Sequence, residues 1–239
     1  MRSILCSLLL LCSLPATALA RDEFATGTMA DGTVVPYVLT TSGTDKPLYA
    51  VILMPGGAGT MSPRMEGGKL SFGYGGNFLI RTRAIFAEGP FVAVSTDQTS
   101  TPGRIMAIVQ DLTTRFGPLV VYVAGTSTST NATLTLAEPL DGKVAGFIHT
   151  SSFNRIASFD PRNLKSRHLI VLHRKDACQF TKPSNGSSSH SRYGTDLIEM
   201  DGGKSSDTDC EAFAHHGYYG IERETVEKIK AWIVAGNSR

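Results

Sequence analysis

Leu119-Val-Val-Tyr-Val-Ala-Gly125-Thr-Ser127-Thr-Ser129-Thr130 is the stretch that decides the fold. Its first six residues are apolar and predict a strand buried on both faces. The small polar residues that follow run into a stretch compatible with a helix. Gly-x-Ser-x-small between a strand and a helix is the pattern of a nucleophile elbow. This is a sharp turn that strains the serine backbone and exposes its Oγ at the C-terminal edge of a sheet. Strand and helix pass close together there, so small residues are needed two positions either side of the serine. Gly125 meets the first requirement; Ser129 stands at the second, where glycine is usual.

Outward from the elbow, strands and helices alternate. Thr33–Thr40, Tyr49–Met54, Phe91–Ser95, Val120–Ala124, Val144–His149, His168–Leu172 and Leu197–Met200 read as strands. Phe78–Glu88, Arg104–Phe116, Thr128–Ala137 and Glu222–Val234 read as helices. In the last, Val226, Ile229, Trp232 and Ile233 share one face, with Glu222, Arg223, Glu227, Lys228 and Lys230 on the other. Alternation with mostly apolar strands predicts an α/β domain around a largely parallel sheet, whose reactive groups gather at the carboxyl ends of the strands. Pro183–Ser191, rich in serine and glycine, predicts a mobile surface loop.

The ends bound the domain. Arg2, the apolar run Ile4–Leu14 and the small-residue site Ala18-Leu19-Ala20 predict a cleaved signal peptide over residues 1–20. A single domain is then expected over residues 21–239, exported to the periplasm or secreted. Without Arg2 the formal charge falls from +2 to +1. That balance points to neither nucleic acid nor an anionic membrane, and no later stretch reads as a membrane anchor. Cys6 and Cys12 fall within the leader. Cys178 and Cys210 remain, and an isolated pair in an exported protein predicts one disulfide. Closing that loop is worth about 3–4 kcal/mol on the chain-entropy estimate. Without C-x-x-C spacing, no metal site is expected.

A serine hydroxyl needs a base to take its proton and a third group to orient that base. Of six histidines, His216 is favoured, because Gly217 after it lets a loop bring the ring inward; His215 is the alternative. His149 ends a strand and reads as a pocket wall or a satisfied core residue. Asp176 stands just beyond the strand His168–Leu172, with Asp201 and Asp97 as other acidic candidates. Cys178 lies two residues after Asp176 and Cys210 six before His216. A disulfide brings Cα atoms within about 7 Å, so this one would hold the acid and histidine loops side by side. Met54-Pro-Gly-Gly-Ala-Gly59 follows a buried strand and suits a loop whose N–H groups approach a developing oxyanion. It lacks both the Walker A ending and the G-x-G-x-x-G spacing, so no nucleotide cofactor is expected.

Taken together, Ile52-Leu-Met-Pro-Gly-Gly-Ala-Gly59, Gly125-Thr-Ser127, His173-Arg-Lys-Asp-Ala-Cys178 and His216-Gly-Tyr-Tyr-Gly-Ile-Glu222 resemble secreted bacterial proteins of the α/β-hydrolase superfamily. The likeness covers nearly the whole chain from Thr33 to Trp232 and includes the order Ser127, Asp176, His216. The resemblance implies Ser127 as nucleophile, His216 as base, Asp176 as acid, and the Gly57 and Thr128 amides as oxyanion donors. It differs in having Pro55-Gly56 where many members have His-Gly. No long insertion follows the strand Val144–His149, so no large lid domain is expected. Lys69–Asn77, glycine-rich, is placed to fold over the site. The function so implied is a serine hydrolase acting on a small-molecule carboxylic ester through an acyl-enzyme, without a cofactor. An amidase or peptidase with the same triad, and a non-catalytic binding protein on the same scaffold, are the alternatives.

Overall fold

A computed structural model describes residues 19–237, so the expected leader falls almost wholly outside the described residues. The chain runs through β1 (Arg21–Thr28), β2 (Val34–Thr41), β3 (Tyr49–Met54), β4 (Pro63–Glu66), β5 (Lys69–Phe72), α1 (Phe78–Arg81), α2 (Arg83–Phe86) and β6 (Phe91–Ser95). It continues through α3 (Pro102–Phe116), β7 (Val120–Thr126), α4 (Ser129–Leu136), β8 (Gly146–Thr150), β9 (Arg167–His173), α5 (Pro183–Tyr193), β10 (Asp196–Met200) and α6 (Glu222–Gly236). Single 3₁₀ turns cover Asn154–Ser158 and His215–Gly217.

Eight strands form one sheet in the order β1-β2-β6-β3-β7-β8-β9-β10. β1 and β2 pair antiparallel, as do β2 and β6; every other pairing is parallel. The two faces follow from the pleat. Ala50, Ile52 and Met54 of β3 point to one side, packing with Ile105, Ile108 and Leu112 of α3 and Ala132 and Leu136 of α4. Val51 and Leu53 point to the other, against Phe78, Leu79 and Phe86 and against Val226, Ile229 and Ile233 of α6. Each such aliphatic residue contributes about 1.5–3 kcal/mol by its removal from water. A central strand covered on both faces must be apolar throughout, and β3 is buried along its entire length.

Four expectations are corrected. Pro183–Ser191 is not a loop but most of α5: Pro183 occupies the first turn, and left-handed Gly194 stops the helix by donating to the His190 carbonyl. Gly186 lets this helix lie close on the sheet, since a Cβ there would come within 3.0 Å of the Ile170 and Leu172 side chains. The helix expected over Phe78–Glu88 is two short helices meeting at Thr82, which ends α1 and begins α2. Lys69–Asn77 begins as β5 of a small hairpin with β4, and only its later residues reach the site. Lys230, assigned to the polar face of α6, is buried; its Nζ reaches the Ile85 carbonyl and Glu227 and lies 5.3 Å from the Phe91 ring centre. β1 was not expected from sequence at all.

Candidate active site

Three buried parallel strands deliver the site. β7 ends at Thr126 and hands Ser127 to the turn before α4. Ser127 has φ +52°, in the left-handed region that non-glycine residues rarely adopt. Its amide donates to the Thr150 carbonyl at the end of β8 (3.1 Å), which fixes the turn to the neighbouring strand. The need for glycine at 125 is direct, since a Cβ there would meet the Ser129 carbonyl oxygen at 2.6 Å. Ser127, Ser151 (φ +42°) and Tyr218 (φ +57°) are three of the four non-glycine residues with positive φ among the described residues, and all three belong to this region. Strain of this kind persists only where surrounding structure over-determines it, and it concentrates at functional sites.

His216 lies in the 3₁₀ turn that follows the disulfide-bearing loop. Its Nδ1 is 3.0 Å from Oδ2 of Asp176, and both side chains are almost entirely buried. Asp176 lies three residues beyond His173, the last residue of β9. Its Oδ1 accepts the Cys178 amide (3.0 Å), and its Oδ2 also accepts the Thr181 hydroxyl (2.9 Å). Thr181 Oγ1 is in turn 3.1 Å from His216 Nδ1. With Nδ1–H donating to the carboxylate, Nε2 is the ring nitrogen left to act as an acceptor. The turn is anchored from behind. Ser151 Oγ donates to the His216 carbonyl (2.6 Å), and Tyr218 Oη donates to the Val171 carbonyl (2.8 Å) while accepting the Ser151 amide (2.9 Å). Burial raises the Tyr218 phenol above its ordinary range, which keeps it a neutral donor.

Gly56, Gly57, Ser127, Thr128, Cys178, Cys210 and His216 line one cavity of about 330 Å³. Tyr74, Phe78, Phe153 and Phe180 supply its apolar walls, with Asn77, Glu211 and Ala212 among the remaining lining residues. Phe153 and Phe180 stack with ring centres 6.0 Å apart. Cys178 and Cys210 are joined in a disulfide with Cα atoms 4.7 Å apart. Gly57 adopts φ +64°, and neither its amide nor that of Thr128 donates to another group among the described residues. No cluster of three or more His, Cys, Asp or Glu side chains among the described residues is arranged to hold a metal ion.

The other candidates fall elsewhere. His215 is half-buried and stacks on His173 (4.7 Å) instead of lining the cavity. Asp201 is exposed and lies 3.5 Å from Lys175. Asp97 accepts the Met61 amide (2.7 Å) and so helps hold the glycine loop. His149 is a core residue: its Nδ1 meets Thr133 Oγ1 (2.8 Å) and its Nε2 meets His168 Nδ1 (3.2 Å). Burial pushes His168 down to about 4 and His149 well below its ordinary value, so both are neutral. Thr181, Ser151 and Tyr218 carry no sequence signal that separates them from ordinary polar residues. The nearest is the short step of five residues from Asp176 to Thr181.

No family model and no curated protein matches this sequence. Solved structures do match. The esterase domain of a Rhodothermus marinus protein aligns over 89% of this chain and 97% of its own, with TM-score 0.60 and 11% identity. Est1E from Butyrivibrio proteoclasticus aligns over 90% and 99%, with TM-score 0.61 and 14% identity. A Xanthomonas campestris α/β serine hydrolase without a lid aligns over 90% and 96%, with TM-score 0.55 and 11% identity. This is the α/β-hydrolase fold. Ser127 stands at the strand-to-helix turn between β7 and α4 of this fold. The connection from β8 to β9 is residues 151–166 and holds only one 3₁₀ turn, so no large lid domain is inserted there.

Proposed function

We propose that this protein is a serine hydrolase that cleaves small carboxylic esters through an acyl-enzyme. The observation that carries the proposal is the convergence on one cavity of Ser127, on a positive-φ elbow, and His216, whose Nδ1 faces Asp176. His216 Nε2 takes the Ser127 proton as Oγ attacks the ester carbonyl carbon. The carbonyl π electrons move onto oxygen, and the Gly57 and Thr128 amides stabilise the resulting oxyanion. Collapse breaks the carbon–oxygen bond to the alcohol, which leaves with the proton from His216. Water then attacks the acyl-Ser127 ester, giving its proton to His216; collapse returns that proton to Ser127 Oγ and frees the acid. Every proton and electron pair is carried by Ser127, His216, substrate and water. The apolar walls formed by Tyr74, Phe78, Phe153 and Phe180 suit a neutral acyl or alcohol group better than a charged one.

Export belongs to the same proposal, with residues 21–239 as one mature domain. Disulfides form and persist in oxidising compartments, which suits the Cys178–Cys210 bond. No helix among the described residues is long and apolar enough to cross a membrane. The test is steady-state hydrolysis of p-nitrophenyl esters of graded acyl length by the oxidised mature protein. Hydrolysis is expected, and Ser127→Ala should lower kcat by about 10⁴-fold or more. Equal hydrolysis by the two proteins would contradict the assignment.

A further inference from the structure

The serine- and threonine-rich elbow departs from the usual pattern at Ser129, and the structure shows what its hydroxyls do. Thr128 Oγ1 donates to the Gly57 carbonyl at 2.9 Å. Ser129 Oγ, fully buried, donates to the Pro55 carbonyl, with Gln98 Oε1 as a second acceptor 3.1 Å away. Between those two carbonyls lies the Gly56–Gly57 peptide, the unit that carries the Gly57 N–H. Two consecutive glycines have more backbone freedom than any other pair, and Gly57 occupies a left-handed conformation. An N–H group in such a segment points where its flanking peptides let it point. Here the peptide before it is held through Pro55 O and the peptide after it through Gly57 O, both by neighbours of Ser127.

We infer that Thr128 and Ser129 are positioning residues whose side-chain hydroxyls brace the Gly57 amide against the Thr128 amide, so that one elbow sets the direction of both oxyanion donors. This rests on the reading of Ser127 as nucleophile. It assigns to the Thr128 side chain a task separate from that of its amide, and it explains how serine serves where glycine is usual. The Gly56–Gly57 peptide is also held directly, by Gly59 N donating to Gly56 O (3.1 Å), and the rest of the loop by Gln98 N to Gly59 O (2.7 Å) and Met61 N to Asp97 Oδ1 (2.7 Å). That turn bond fixes the peptide at one edge, and the carbonyls on either side of it are held by the Thr128 and Ser129 hydroxyls. Donors stabilise a transition state only when aimed at the developing charge, and a misplacement of about 1 Å can cost about 100-fold in rate.

Thr128→Val, Thr128→Ser, Ser129→Ala and the double variant Thr128→Val/Ser129→Ala should be compared with the wild type. Each is checked for folding by thermal denaturation and assayed on p-nitrophenyl butyrate. Binding of butylboronic acid, which becomes tetrahedral on a nucleophilic serine, is measured in parallel. A roughly tenfold loss of kcat is expected for Thr128→Val and for Ser129→Ala, and about 100-fold for the double variant. KM should stay within about twofold, boronic acid affinity should fall with kcat, and Thr128→Ser should stay near wild type. If Ser129→Ala does not fold, Thr128→Val against Thr128→Ser decides alone. Folded variants with wild-type kcat, on a wild type that turns over the ester, would overturn the brace and leave the hydrolase reading standing. A wild type that neither hydrolyses the ester nor binds the boronic acid would overturn both.

Discussion

Cys178 donates its backbone amide to Oδ1 of Asp176 at 3.0 Å, so the residue that anchors the disulfide also hydrogen-bonds the carboxylate facing His216. The bond to Cys210 then reaches across to the loop that leads into the His216 turn. The acid and the histidine come from loops with no strand in common, and the disulfide is the covalent link between them.

Replacing Cys210 by serine should therefore affect stability and turnover together. The bridge closes a loop of 32 residues, for which chain entropy gives about 3–4 kcal/mol. In a domain of this size the midpoint of thermal unfolding should fall by about 10 °C. Thermal denaturation with and without reductant checks this, since reduced wild type should match the variant. An unchanged midpoint would mean that the two loops hold together without the bond.

Thr181 should show its role in the split between two substitutions. Thr181→Val removes the hydroxyl from Asp176 Oδ2 and leaves one acceptor site of a buried carboxylate empty, at a cost of about 1–3 kcal/mol. A loss of about tenfold in kcat/KM is expected, with Thr181→Ser restoring most of it. Equal activity in the valine and serine variants would show that the hydroxyl is not used.

Gly125→Ala should damage the elbow more than its single methyl suggests. The added Cβ would stand 2.6 Å from the Ser129 carbonyl oxygen and 2.9 Å from Thr133 Cγ2. Because the first of these is backbone, the turn itself must shift, and overpacking of this kind costs about 1–3 kcal/mol. Urea unfolding should show that loss, accompanied by reduced ester hydrolysis.

Acid should weaken the protein before its carboxylates titrate fully. Burial depresses His168 from its ordinary 6.5 to about 4. The unfolded chain therefore binds a proton that the folded chain refuses as pH falls below about 6.5. Stability from this group is complete above that value and is lost as pH falls from 6.5 to 4, by about 3 kcal/mol in all. His149, depressed in the same direction, adds to the effect. Urea midpoints measured between pH 7 and 4 should fall, and His168→Gln should flatten the slope. A slope unchanged in that variant would assign the acid sensitivity to other groups.

Much of this arrangement was legible in the sequence because it rests on local patterns. A strand buried on both faces must be apolar throughout, which made Tyr49–Met54 and Phe91–Ser95 readable to the residue. The tight turn between β7 and α4 was readable through the small residues that close approach requires. β1 did not, because Arg21-Asp-Glu-Phe-Ala-Thr-Gly-Thr28 is an edge strand with only Ala25 and Gly27 buried. α5 was missed because its serines favour turns locally, and the signals that make it a helix are a proline at its start and a glycine past its end. Thr181 and Ser151 were invisible for a different reason. Their roles come from which loops the fold brings together, and no spacing along the chain records that.

The most direct test is to treat the purified oxidised mature protein with a fluorophosphonate and locate the modified residue by mass spectrometry, alongside Ser127→Ala and His216→Ala. A single adduct on Ser127 is expected, absent in the first variant and strongly slowed in the second. A folded wild type that takes no label, or one labelled at another serine, would contradict the assignment of Ser127 as an activated nucleophile.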